Sequence, residues 1–179
     1  MNSTNLLRNV AIIAHVDHGK TSLLDALAGL LPPSAGSVVR ATSLSRHAVQ
    51  KLYQDPPAAF PARVPLRLAL RDVARLHQTD WSRVAQILEH LGIHPSLLER
   101  KPDAVSGGEL QRISIVRALT VRPRVLLADE PTSRLDPITQ RDTLAMLEQV
   151  AAEENIAVVL VTHDPDIASK WADRVVHLI

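Results

Sequence analysis

The sequence has no cysteine in its 179 residues. That excludes a disulfide framework, a cysteine-based zinc site and a thiol nucleophile. Aromatic residues are almost as scarce: Tyr53, Phe60, Trp81 and Trp171, with none before Tyr53. Neither sign of charge dominates, since 20 Lys+Arg face 19 Asp+Glu for a formal net charge of +1. A basic field for non-specific nucleic-acid binding is therefore missing. No apolar run approaches the roughly 18–20 residues of a membrane span. Residues 1–8 lack the order of a signal peptide, so the expectation is a soluble intracellular protein. What is present is 46% apolar content in a chain of one-domain length. Such a chain buries roughly 70% of its extended surface without a metal or disulfide staple.

Asn9-Val-Ala-Ile-Ile-Ala14 reads as a strand. Lys20 to Leu31 carries leucines at helical spacing, with Pro32-Pro33-Ser-Ala-Gly36 as the stop. Val49 to Tyr53 reads as a short strand and Gln54-Asp-Pro-Pro57 as a loop. From Leu66 to Leu98 the pattern is helical, with Asp80 or Ser82 as a cap and Val84, Ile87, Leu88 and Leu91 as a buried face. A helix over Glu109–Thr120 follows a Ser-Gly-Gly turn. Strands over Arg124–Asp129, Ala157–Thr162 and Arg174–Ile179 then alternate with helix, including Ile138–Glu153. Alternation of this kind predicts a parallel sheet covered on both faces, interrupted by a helical insertion.

Chemistry concentrates in a few places. Ala14-His-Val-Asp17-His18-Gly19-Lys20-Thr21-Ser22 lies between a strand and a helix. It matches the phosphate loop G-x-x-x-x-G-K-[ST], with Ala14 in place of the first glycine. Backbone amides and the helix N-terminus face a polyphosphate, Lys20 reaches the β- and γ-phosphates, and Thr21 can ligate Mg²⁺. His15, Asp17 and His18 are contiguous loop residues, a poor arrangement for one ion. Val125-Leu-Leu-Ala-Asp129-Glu130 ends an apolar strand in two acids, at the sheet edge where ligands sit in open α/β folds. Asp129 can hold Mg²⁺ and Glu130 can polarise a water. Ser106-Gly107-Gly108-Glu109-Leu-Gln111-Arg112 would expose amide donors to an anion. His163 at a strand end and Gln54 in the proline-bounded loop carry little information alone.

In this order, the motifs resemble those of the ATP-binding-cassette ATPases. Gln54-Asp-Pro is similar to the Q-loop, and Ser106 to Arg112 to the family signature. Leu126-Leu-Ala-Asp-Glu-Pro-Thr132 resembles Walker B, Ser133-Arg-Leu-Asp136-Pro the D-loop, and Thr162-His163-Asp164 the switch histidine. The resemblance runs from about Gly29 to Ile179, and its wording is similar to the peptide and nickel importer branch.

The resemblance implies an α/β P-loop NTPase (RecA-like) core over residues 1–60 and 122–179. It also implies an inserted helical subdomain over 61–121 and a reduced or missing N-terminal β-subdomain. It implies ATP and Mg²⁺ as cofactors, a second cassette subunit and transmembrane permease subunits as partners, and no nucleic acid. The place would be the cytoplasm, peripheral to the inner face of the membrane. Glu130, His163 and Gln54 would be catalytic. Asp17, His18, Gly19, Lys20, Thr21 and Ser22 would hold the nucleotide, joined from the opposite subunit by Ser106, Gly107, Gly108 and Glu109. Asp136 would act across the interface, and Thr21, Asp129 and Gln54 would hold the metal.

Asn9 to Asp25 instead resembles the phosphate loop of translation-factor GTPases. The partner elements of that family are missing: no asparagine begins N-K-x-D, and no glycine follows an aspartate by three. A GTPase-like switch or a non-catalytic nucleotide-binding module are the alternative readings. The lack of an early aromatic implies weaker, less base-selective nucleotide binding. A lost stack is worth about 1–2 kcal/mol, up to about thirtyfold.

Overall fold

The computed structural model describes residues 9–14, 20–42, 44–45, 47–133 and 135–178. The chain divides into two compact units. The first comprises Met1–Lys51, Arg124–Glu130 and Glu148–Ile179; the second comprises Leu52–Pro123 and Pro131–Leu147.

The first unit is built on five strands: β1 (Asn9–Ala14), β2 (Val49–Leu52, which runs to the unit boundary), β3 (Val125–Asp129), β4 (Ala157–Thr162) and β5 (Arg174–Leu178). Their order in the sheet is β2-β3-β4-β1-β5. β1 pairs in parallel with β4 and β5, and β3 in parallel with β4. This is the expected parallel sheet. Its central strands are apolar because both faces are covered, as parallel sheets require. Ile12, Leu24, Leu127 and Val161 form one core cluster; Leu24 comes from α1 (Lys20–Ala28). Ala11, Ile13 and Ala168 form a second, with Ala168 from α6 (Pro165–Trp171).

The expected helix over Lys20–Leu31 stops at Ala28. Gly29 sits at φ +72, its amide donates to the Ala26 carbonyl, and the Leu30 amide donates to the Asp25 carbonyl. That is a Schellman end, so glycine rather than the later prolines terminates the helix. Leu30 and Leu31 are consequently exposed instead of extending the apolar stripe. The described residues between Gly29 and Ala48 form no strand.

The second unit is helical: α2 (Leu66–Leu76), α3 (Trp81–His90) and α4 (Gly107–Thr120), with 3-10 turns at Pro56–Ala59, Pro95–Glu99 and Pro102–Ala104. Asp80 caps α3 by accepting the Ser82 amide at 2.7 Å. Val84, Ile87, Leu88 and Leu91 are buried as expected. α2 buries Leu66, Ala69, Leu70 and Ala74, one face of a helix. Arg71 stacks over Trp81 at 5.4 Å from the ring centroid. α4 begins two residues before the expected Glu109, because Ser106 is its N-cap. α5 (Pro137–Glu153) begins in this unit and ends in the first. Among the described residues no helix is long and apolar enough to cross a membrane.

Candidate functional site

Parallel register builds the site. Asp129, the last residue of β3, lies opposite Val161 of β4, so the chain beyond each strand emerges at one edge. Glu130 and His163 are the residues delivered there. The Glu130 amide donates to the Val161 carbonyl at 3.1 Å. That bond holds Glu130 at φ +43, a left-handed conformation costing about 1 kcal/mol in an L-residue. The turn aims the carboxylate at His163, with Oε2 3.5 Å from Nδ1. Glu130 is largely buried at 12% side-chain exposure while His163 is open at 64%. A buried carboxylate beside an exposed imidazole suits a group that polarises water and a second that orients it.

The other half of the edge belongs to α1 and β3. Thr21, in the first turn of α1, donates its hydroxyl to Oδ2 of Asp129 at 2.9 Å. Asp129 is buried, 4% exposed, at the end of an apolar strand. A hydroxyl and a carboxylate are hard oxygen donors of the kind Mg²⁺ takes, so this pair fits that ion. Among the described residues no group of three His, Cys, Asp or Glu could hold a metal. Asp17, His18 and Gly19 lie outside the described residues; Lys20 opens α1 and Ser22 is exposed on it.

Two residues of this edge escape the sequence reading. Lys51 of β2 has its ammonium 2.6 Å from Asp25 Oδ1 and 3.7 Å from Asp129 Oδ2. The available signal was weak: a lysine beside a glutamine in a four-residue strand, flanked by Val49 and Leu52.

The remaining candidates lie in the second unit. Gln54 stands in the bend before the turn at Pro56–Ala59. Ser106 and Glu109 form a capping box. The Ser106 amide and hydroxyl each donate to Glu109 Oε2 at 2.7 Å, and the Glu109 amide donates to Ser106 Oγ at 3.3 Å. Glu109 thus satisfies the helix start, where a carboxylate is also favoured by the dipole. Gly108 is closely approached: a Cβ there would stand 3.3 Å from Thr139 Cγ2, so the threonine side chain would have to give by a few tenths of an ångström. Gly107 meets nothing within 4 Å. Asp136 caps α5, accepting the Ile138 and Thr139 amides at 3.1 Å each.

The Ser106 amide, then its hydroxyl, holds the Glu109 carboxyl below its ordinary value. A depressed folded-state pKa stabilises above the unfolded value, about 4.3, and that contribution is lost as pH falls through the folded value. The stability advantage of the wild type over Glu109→Ala should therefore shrink between pH 6 and pH 3. Thermal melts across that range check it; a constant difference would deny the box any ionic character.

The family model described as "ABC transporter" matches residues 6–133. The match begins ahead of β1, which corrects the expectation that the resemblance starts near Gly29 and takes in the segment that is similar to a GTPase loop. The chain is 36% identical over 181 residues to the "Nickel import ATP-binding protein NikE" of Brucella abortus (strain 2308), covering 92% of this chain and 68% of that protein. It is 33% identical to the "Probable D,D-dipeptide transport ATP-binding protein DdpF" of Escherichia coli (strain K12), covering 93% of this chain and 55% of that protein. Among solved structures, cbiO1 of Clostridium perfringens, described as part of an ABC transporter complex, superposes with a TM-score of 0.78 at 26% identity. That superposition covers 95% of this chain and 72% of cbiO1.

Proposed function

The chain belongs to the ABC transporter family and is an ATP-binding ATPase of the P-loop class; from that premise we propose that it powers import of a small solute of the nickel or peptide class. The cassette works as one nucleotide-binding domain, with residues 1–60 and 122–179 as α/β core and 61–121 as the helical insertion. The observation that carries the reading is the sheet edge where Thr21 meets Asp129 and Glu130 faces His163.

Lys20 and the first turn of α1 hold the phosphates of ATP, with Asp17, His18, Gly19 and Ser22 contributing from the loop and helix start. Glu130 accepts a proton from the attacking water, and His163 orients Glu130 and the γ-phosphate. Thr21 and Asp129 would hold Mg²⁺, which when bound would offset charge on the phosphate oxygens. Phosphoryl transfer needs positioning and charge stabilisation more than covalent chemistry, and these residues provide both.

A second cassette supplies Ser106, Gly107, Gly108 and Glu109 across a head-to-tail interface, with Asp136 beside it. Permease subunits hold the pair at the cytoplasmic face of a membrane. Nucleic acid has no part in this reading.

Titration calorimetry with Mg-ATP and Mg-GTP tests it, with Lys20→Ala as the control. Mg-ATP should bind, and Lys20→Ala should weaken it about thirtyfold or more, the worth of a charged hydrogen bond to phosphate. Tighter binding of Mg-GTP than Mg-ATP would overturn the ATPase assignment of the site in favour of a GTPase-like switch.

A further inference from the structure

Thr21 and Asp25 stand four residues apart on α1, so they share one face of the helix. That face meets two strands that are neighbours in the sheet, β2 and β3. Thr21 donates its hydroxyl to Asp129 at 2.9 Å on β3, and Asp25 accepts from Lys51 at 2.6 Å on β2. Lys51 also stands 3.7 Å from the same Asp129 oxygen that Thr21 engages. The four side chains close a ring from helix to strand to strand and back to the helix. The Lys51 and Asp129 side chains are each only 5% exposed, and Asp25 is 20% exposed. A buried ammonium is costly unless paired, and here two carboxylates pair it.

We infer that Lys51 is a built-in counter-cation of the metal-holding carboxylate, and that the Asp25–Lys51 pair sets how much Mg²⁺ the site requires. This rests on the ATP-binding reading given above. Asp25, Lys51 and Asp129 together carry a formal charge of −1. Lys51 holds the Asp129 carboxylate in place beside Thr21 before any metal arrives. It also opposes a divalent cation on that carboxylate, because a fixed positive charge lies within 3.7 Å of the ligand oxygen. Asp25 moderates the opposition by drawing the ammonium toward α1. Lys51 and Asp25 touch neither nucleotide nor water in this scheme; they are positioning residues acting through Asp129.

The two ends of the pair must then act with opposite sign. Lys51→Met keeps an unbranched side chain and leaves the carboxylates at −2, so the free Mg²⁺ giving half-maximal nucleotide binding should fall about tenfold. Asp25→Asn keeps the shape and removes the carboxylate that draws Lys51 toward α1, so that midpoint should rise severalfold, on the order of 3-fold. The experiment titrates free Mg²⁺, buffered with EDTA, against binding of a fluorescent ATP analogue to wild type and both variants.

Opposite shifts support the counter-cation. Unchanged midpoints, or shifts of both in one direction, overturn it and leave a purely structural ion pair. Should Lys51→Met fail to fold, Asp25→Asn decides alone: a raised midpoint supports the inference and an unchanged one overturns it. Failure of the wild type to bind the analogue at any Mg²⁺ concentration would strike the nucleotide reading itself, which is a separate result.

Discussion

Replacing Glu130 with glutamine should lower ATP turnover by about a thousandfold, within the range for loss of a general base. Nucleotide affinity should stay within about threefold, because a base that acts on water in the transition state contributes little to ground-state binding. Glutamine has the same shape and adopts the same backbone, so the φ of +43 and the amide bond to Val161 persist. Only the charge and the basicity disappear. The flanking geometry makes this the sharpest test of the site. Glu130 is set at the edge by β3, aimed by a left-handed turn, and faced by His163 at 3.5 Å. Phosphate release and equilibrium nucleotide binding, measured on one preparation, separate the two effects. Undiminished turnover in Glu130→Gln would place the base elsewhere. Equal loss of binding and turnover would mean that Glu130 holds the nucleotide rather than activating water.

Leu127→Ala should destabilise the protein by about 3 kcal/mol, within the range of buried leucine truncations. Leu127 is the middle residue of β3, 1% exposed, and packs with Ile12 of β1, Leu24 of α1 and Val161 of β4. Strands on either side hold β3 in place, so little collapse can fill the space left behind. Against a typical total of about 5–15 kcal/mol, that loss is a large share. Leu127→Met, which conserves volume, should cost less than about 1.5 kcal/mol. Urea midpoints at constant slope measure both. The consequence reaches function, because β3 is the element that delivers Asp129 and Glu130. A loss below about 1 kcal/mol would show a core able to relax around the site, contrary to close packing.

Much of the architecture was legible because its signals are local. The apolar runs at Asn9–Ala14 and Ala157–Thr162 appear as strands with those bounds. A run with no polar alternation needs both faces covered, and alternation with helices forces parallel pairing. The adjacent acids of Asp129 and Glu130 marked a strand end, and the strand does end there. Helix ends were harder. Leucines continuing to Leu31 suggested a longer α1, while one glycine at φ +72 ended it three residues earlier. Periodicity reports which residues could line a face; it does not report where the backbone turns away. Ser106 read as part of an anion-facing turn, and it proves also to be half of a capping box closed by Glu109.

The sequence by itself determined the residue types and their order: a Gly-Lys-Thr loop after a strand, two acids after another, a histidine after a third. Those are covalent facts, and their spacing along the chain suffices to predict strand, loop and helix. Only the tertiary structure decided which of them meet. Thr21 and Asp129 are 108 positions apart, and they come within 2.9 Å because α1 packs beside β3. Glu130 and His163 meet because the parallel register sets Asp129 against Val161. Lys51 gains its role only from β2 lying next to β3, which places a lone lysine between Asp25 and Asp129. Sequence spacing carries no information on that strand order, since side-chain electrostatics act through space and not along the chain.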